Sequence, residues 1–368
     1  MRSDEHQTAG PRVARRDLLR LAALTYLAGA CAPGKPSGAA APAAPAAGLP
    51  ASQPTATGQG SLPLRFATIG SLFHLINYEF GRRRGLFAAE GVAPETTETN
   101  GDITILQGMQ SNEFDFTDGG PGTPLVADTK GGAFVLVGTL ASKLYYAAYA
   151  RTDIHSPADL RGKTLGTAAL GSLPHLATVA WLQTQSIDAN DVQFVALGPT
   201  PEVFRAIVAG KVDGGVAGVD FLPLARRQGI GVLSDYVAGD LPGYFMLAYY
   251  ARKGDLADAT RREAMVRFLA AVARTTRAIY DPANKEAWVQ AGVDLQQREA
   301  DDLRYLWDWM RDHRLLAANL EFTADQVRFI QEQQVATGSQ DRVLPFDQVA
   351  TLDLQQEVLA RIGPYQYQ

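Results

Sequence analysis

Few residues in this chain are of the types that make or break bonds. Its 368 residues include one cysteine, Cys31, and five histidines. A lone cysteine forms no disulfide within the chain, and Cys31 stands at the end of an N-terminal apolar run. The folded part is therefore left without thiol chemistry or a cysteine metal site. The polar residues that remain prominent sit in glycine-rich turns. Leu170-Gly171-Ser172 joins a short strand pattern, Lys163 to Thr167, to a helical pattern carried by Leu176, Val179, Ala180 and Leu182. A Gly-Ser loop that opens a helix leaves backbone N–H groups at the positive end of the helix dipole. Glycine admits a close approach to the backbone and serine adds a hydroxyl, which together make a receptor for a small anion or polar group. The competing reading is a helix cap with no ligand. Asp118-Gly119-Gly120-Pro121-Gly122-Thr123 is a second loop of this kind. Both are equipment for holding a molecule rather than for transforming one.

The elements that must position these loops follow an α/β plan. Leu64 to Ile69 alternates as a strand, a helix runs through Ile76 and Phe80 to Gly85, and Val92 to Thr99 reads as the next strand. This βαβ unit implies a parallel sheet. Ile103 to Gln110 is a helix, and Phe134 to Leu140 and Tyr145 to Ala150 are buried strands. The plan then recurs: strand 163–167, the Gly-Ser loop and its helix, a strand over Val192 to Leu197, and a helix that begins at Thr200-Pro201. Asn112-Glu113-Phe114-Asp115 aligns with Gly210-Lys211-Val212-Asp213, and Asn and Gly are the residues that most readily take the left-handed turn ending a helix. Phe245 to Ala251 resembles Tyr145 to Ala150, and both lead into a basic residue and a polar turn. Two copies of one plan predict two similar lobes, with 63–148 and 240–345 in the first, 149–239 in the second and 346–368 as a C-terminal tail. Apolar spacing predicts further helices over Arg261 to Tyr280, Glu299 to His313 and Thr323 to Val335, the last opened by a Thr323…Gln326 capping box.

Composition bounds the partners and the compartment. Hydrophobic residues make up 46% and charged residues 20%, an ordinary globular balance, and the formal net charge of −5 disfavours nucleic acid as a partner. Arg12, Arg15 and Arg16 precede an apolar run, Leu18 to Ala30, that is too short for a permanent membrane span. Ala14-Arg15-Arg16-Asp17-Leu18-Leu19-Arg20 resembles a twin-arginine export signal. Leu27-Ala28-Gly29-Ala30-Cys31 resembles a bacterial lipobox, which implies lipidation of Cys31. Residues 32–62, rich in Ala, Pro, Gly and Ser, read as a flexible tether. The folded part is therefore expected outside the cytoplasm, in the periplasm or on the outer face, held at a membrane by a lipid.

From about residue 64 to 250 the chain resembles the substrate-binding proteins of bacterial ABC importers, nearest the group that takes up alkanesulfonates, taurine, nitrate and thiamine-type pyrimidines. The resemblance is carried by Gly85-Leu86-Phe87-Ala88-Ala89-Glu90-Gly91-Val92, Glu113-Phe114-Asp115-Phe116, Leu160-Arg161-Gly162-Lys163-Thr164-Leu165-Gly166 and Ala206-Ile207-Val208-Ala209-Gly210-Lys211-Val212-Asp213, in the family's order. It implies a two-lobed, hinged α/β fold of the type II periplasmic-binding-protein kind. Each lobe would hold a mixed sheet flanked by helices, with ligand bound between the lobes.

The same resemblance implies that loops after the strands face the cleft and supply Ser71, Phe73, His74, Gly120, Thr123, Gly171, Ser172, His175, Asp220 and Phe221. Open α/β sheets independently lead to this expectation, since they bind ligands beyond the carboxyl ends of their strands. His74 and His175 stand against the alternative of a satisfied or surface histidine, and Asp220 against that of a turn cap; facing a ligand, Asp220 would favour an amine or hydroxyl. Phe73, Phe221 and Tyr244 point to a planar or partly apolar ligand. The implied partners are a small molecule, an ABC permease with its ATPase and a membrane reached through the lipid anchor. No cofactor, metal or nucleic acid is implied, and the expected state is a monomer without enzymatic activity. Two other functions fit the fold: an exported enzyme, and a sensor that passes ligand occupancy to a membrane receptor.

Overall fold

The computed structural model describes residues 60–70 and 73–367. The chain enters through β1 (Leu62–Ile69), α1 (His74–Arg83), the one-turn α2 (Leu86–Ala89) and β2 (Val92–Thr99). It continues through α3 (Asp102–Gln110), β3 (Phe116–Gly119), α4 (Gly122–Thr129) and β4 (Phe134–Ala141). A second run follows: β5 (Tyr146–Ala150), β6 (Thr164–Thr167), α5 (Leu173–Thr184), β7 (Gln193–Ala196), α6 (Thr200–Val208), β8 (Gly214–Gly218), α7 (Leu222–Gln228), β9 (Gly231–Ser234) and α8 (Val237–Asp240). The chain returns through β10 (Met246–Arg252) and closes with α9 (Ala259–Tyr280), α10 (Lys285–Gln296), α11 (Ala300–Asp312), α12 (Ala324–Ala336), α13 (Phe346–Val349) and α14 (Asp353–Ile362).

Two five-stranded sheets result, in the orders β2-β1-β3-β10-β4 and β7-β6-β8-β5-β9. In each, three parallel strands are followed by an antiparallel strand and an antiparallel edge pairing. The fourth strand of each sheet is the one the chain brings across from the other sheet: β5 enters the second sheet after β4, and β10 enters the first after β9. These are the two segments whose likeness is visible in sequence. Because β5 pairs with β8 and β9, the first crossover spans 142–145, so the expected boundary at 148, which splits this strand, is corrected to precede it.

The internal repeat has a shared local cause. Asn112 and Gly210 both take the left-handed conformation, with φ of 62° and 66°. Each turn then presents an aspartate to a neighbouring strand: Asp115 accepts the Arg65 N–H at 3.2 Å, and Asp213 accepts the Thr164 N–H at 2.9 Å.

Beneath the first sheet, Phe268 of α9 meets Phe66 at 4.4 Å and Phe116 at 5.8 Å between ring centroids. The α10–α11 hairpin packs on α1, where Trp288 donates its indole N–H to Asn77 at 2.7 Å. Residues 346–368 are not a free tail as far as they are described. Leu136 bridges to Ala350, α14 packs on α9, and Tyr367 accepts the Ala318 N–H at 2.9 Å, because Leu354 and Val358 give α14 an apolar side to bury. No helix among the described residues is long and apolar enough to cross a membrane.

Candidate functional site

A cavity of about 700 Å³ opens between the two sheets, at the carboxyl ends of parallel strands from both. Ile69 ends β1, Asn100 to Thr104 follow β2, and Gly120 and Thr123 follow β3. From the other sheet, Ala168 to Pro174 follow β6, and Gly198 to Thr200 follow β7. The crossover strands add Tyr146, Met246 and Leu247, and the end of α12 adds Gln334 and Ser339. Parallel strands that deliver their loops to one side are what allows separate stretches of chain to share one hollow.

Gly120, Thr123, Gly171 and Ser172, expected from sequence, are among the lining residues. The Gly-Ser loop, however, is not an open anion receptor. The Gly171 N–H donates to His175 Nδ1 at 3.1 Å, the Ser172 N–H to the Ala169 carbonyl at 3.2 Å, and the Ser172 hydroxyl to the same carbonyl at 2.7 Å. The loop closes on itself and offers the cavity the side chain of Leu170, 65% exposed. Ser172 is the N-cap of α5, but its hydroxyl faces back into the loop rather than the first helical turn.

The other expected residues lie elsewhere. Phe73 is buried against Tyr145 at 4.6 Å. His74 is fully buried; its Nε2 lies 2.7 Å from the Thr68 hydroxyl and 3.6 Å from Asp118, which in turn accepts from Tyr78. Burial holds the His74 imidazole below its ordinary pKa, with Asp118 opposing the shift. His175 is turned to Gly171 and Phe194, and burial lowers its pKa as well. Asp220 is paired with Arg298, whose guanidinium also covers the Phe221 ring at 5.8 Å. Tyr244 is buried edge-on to Phe329. Six expected cleft residues are thus core or pairing residues; Asp220 and Phe221 are so because the loop after β8 is drawn toward α11 rather than the cavity. Ser71 and Cys31 lie outside the described residues.

Sequence reasoning missed Asp102 and Gln334. Asp102 opens α3 behind Gly101 and accepts the Gly120 N–H at 2.7 Å. It is half-buried at the wall of the cavity, and burial pushes its carboxyl up to about 6, with the Gly120 bond opposing and Asp118 assisting. Tyr146 and Tyr250 face the same carboxylate, and both phenols are raised first by burial and then by Asp102. Gln334 is fully buried, donates Nε2 to the Gly122 carbonyl at 2.9 Å and leaves Oε1 without a partner. The signal available in sequence was an acidic residue directly after a strand and a glycine, a position that reads equally as an N-terminal helix charge. Among the described residues no group of three or more His, Cys, Asp or Glu is placed to hold a metal ion.

Two mixed sheets flanked by helices, joined by two crossovers with a hollow between them, define a periplasmic-binding-protein-like fold. The chain belongs to the NMT1/THI5-like family, whose model matches residues 74–285. Solved structures agree on the fold. A ligand-binding component of an ABC-type import system from Staphylococcus aureus, solved with zinc bound, superposes with a TM-score of 0.66 at 12% identity, over 81% of this chain and 99% of that one. The alkanesulfonate-binding protein SsuA of Xanthomonas axonopodis pv. citri, bound to MOPS, gives 0.64 at 14%, over 79% and 99%. The periplasmic nitrate-binding protein NrtA of Synechocystis gives 0.65 at 11%, over 82% and 89%. No curated protein matches the chain.

Proposed function

We propose that this protein is the extracytoplasmic solute-binding component of an ABC importer, which captures a small organic molecule between its lobes and hands it to a permease without changing it. The observation that carries this reading is the cavity itself: about 700 Å³, lined by strand-end loops of both sheets at the two crossovers. That volume suits a ligand of small-metabolite to drug size. A hollow shared by two lobes couples occupancy to their relative position, which is how such a protein tells a permease that it is loaded. The names borne by the similar structures point the same way. Gly120, Thr123, Gly171 and Ser172 form the proposed wall, joined by Asp102 and Gln334.

The N-terminal part of the reading rests on sequence. Cys31, lipidated, is the membrane anchor of a monomer, and residues 1–31 are the export signal. Cys31→Ser is expected to release the mature protein from membranes; a variant that still sediments with them removes the lipid from this account. The main test is mass spectrometry of small molecules released by denaturing the protein after expression in a cell that holds its ligand, followed by calorimetry of the released compound. A released compound that is found chemically altered after incubation would favour an enzyme over a carrier.

A further inference from the structure

Two side-chain acceptors stand at the turn after β3. Asp102 uses Oδ1 for the Gly120 N–H, and among the described residues its Oδ2 receives no hydrogen bond. Gln334 is oriented unambiguously, because the Gly122 carbonyl only accepts and so must face the amide nitrogen. The partnerless Gln334 Oε1 is therefore a true orphan acceptor at the wall of the cavity. Both acceptors are gathered over one turn. A Cβ at Gly120 would lie 2.7 Å from Asp102 Oδ2, and one at Gly122 would lie 3.8 Å from Gln334 Oε1. Two residues span at most about 7 Å.

The cations that an anionic ligand would need are not at this turn. No arginine lines the cavity among the described residues. The lysine on its wall, Lys130, is exposed at the far end of α4, about 12 Å along the helix from Gly122 at 1.5 Å per residue. The N–H groups of Gly171 and Ser172 are already used. Helix α4 opens in the turn itself at Gly122, and the N-terminus of α3 beside it carries Asp102. The remaining wall is largely apolar and includes Ile103, Leu106, Val126, Leu170, Pro174 and Met246.

We propose that this site takes an organic ammonium ion: a protonated amine donating to Asp102 Oδ2 and Gln334 Oε1, on a carbon body that lies against the apolar wall. The assignment rests on the solute-binding reading above. An ammonium group can donate to both acceptors, and the carboxylate gains a charge-assisted partner. A sulfonate, carboxylate or nitrate at the same place would meet two oxygens that repel it.

The test uses the purified protein at pH 7.5 with benzylammonium, phenethylammonium, cyclohexylammonium and spermidine as probes, each aryl and alkyl skeleton also being offered as its carboxylate and sulfonate. Calorimetry and ligand-induced thermal shift are read for wild type and for Asp102→Asn, which keeps an acceptor for the Gly120 N–H. Binding by members of the ammonium set and by none of the anions is expected, with the affinity about 10- to 100-fold weaker in Asp102→Asn and no loss of stability without ligand. Anion binding overturns the proposal, as does ammonium binding of equal strength in Asp102→Asn or silence from every ammonium probe. Release of an anion on denaturation would sink the ammonium class and leave the carrier intact. Release of nothing, together with silence from both probe sets, would sink the carrier reading itself.

Discussion

Arg298, just beyond α10 on the side of the first sheet, donates Nη1 to the Asp220 carboxylate at 2.7 Å and Nη2 to the Asp220 carbonyl at 3.1 Å, and so ties the loop after β8 in the second sheet to the helices of the first. Asp220 is buried, its second oxygen has no partner, and Phe221 beside it stacks on Phe204 at 4.5 Å beneath the same guanidinium. A parallel link joins Arg227 of α7 to Asp302 of α11 in two 2.7 Å bonds. The two lobes thus communicate through side chains as well as through the crossovers.

Removing one member of that pair should be severe. Arg298→Ala leaves a buried carboxylate uncompensated, and the expected loss is about 3–5 kcal/mol. Replacing both, as Arg298→Met with Asp220→Leu, should recover most of it, because an apolar pair carries no desolvation penalty. Urea midpoints measure both variants. Equal stability of Arg298→Ala and wild type would mean that the pair is solvated and contributes nothing.

Asp102 sets a pH dependence of the empty protein. Its folded pKa, about 6, lies above the unfolded value of 3.8. A carboxyl raised on folding contributes stability that is fully present below the unfolded pKa and is lost as pH rises through the folded one. Wild type should therefore weaken relative to Asp102→Asn between about pH 4 and 6.5. The difference is bounded by roughly 3 kcal/mol for two pKa units and is smaller to the extent that cavity water reaches the carboxylate. Asp118, Tyr146 and Tyr250 face the same group and are common to both proteins, so the comparison isolates Asp102. Chemical denaturation at pH 4.5, 6 and 7.5 provides the measurement; a constant difference across the three would remove Asp102 as the titrating group.

The contrast between Asp102 and Asp220 explains what was legible in the sequence. The strands, the two-fold repeat and the left-handed turns at Asn112 and Gly210 follow from local rules, since periodicity and backbone preference act within a few residues. The cavity loops at Gly120 and Gly171 were also legible, because strand ends followed by glycine mark loops whatever the tertiary contacts. Which way a loop side chain points was not. Asp220 and His74 look like ligand groups until Arg298 and Asp118, 78 and 44 positions away, claim them. Asp102 looks like a helix charge until Gly120 brings the cavity to it. The folding of 346–367 onto β4 and α9 was hidden for the same reason: an amphipathic helix announces that it has an apolar side, not what covers it.

Gly215 marks the tightest backbone approach in the second sheet. It pairs in parallel register with Gly166, and a Cβ there would lie 2.6 Å from the Gly166 carbonyl oxygen and 2.8 Å from Val203 of α6. A backbone oxygen inside a ladder does not move aside. Gly215→Ala is expected to destabilise by about 1–3 kcal/mol, the range for overpacking, or more. Gly166→Ala meets only the ends of Leu197, Val203 and Val212 side chains and should be milder. If urea titration finds the two variants equally stable, the close approach at Gly215 is not rigid.

The last prediction concerns two exposed apolar side chains on opposite walls of the cavity. Ile103 on α3 is 61% exposed, and Leu170 in the loop before α5 is 65% exposed. Single exposed leucines need no explanation, but these two line the same hollow from different sheets. If the lobes approach over a bound ligand, both are removed from water, and full burial of such a side chain is worth roughly 1.5–3 kcal/mol. Partial burial on closure should therefore supply about 1 kcal/mol each, so Ile103→Ser and Leu170→Ser should each weaken binding about fivefold. Stability without ligand should change by no more than about 0.5 kcal/mol, since neither side chain is packed in the empty protein. The double variant separates two mechanisms. Side chains that meet each other on closure lose that contact with the first substitution, so the double variant is weakened by less than the product of the singles. Side chains that touch only the ligand give the full product, about 25-fold. Calorimetry with the compound released from the protein, or with a binding ammonium probe, reads all three variants. Wild-type affinity in both single variants would mean that the lips of the cavity stay apart when it is filled, and that the two exposed side chains have no part in binding.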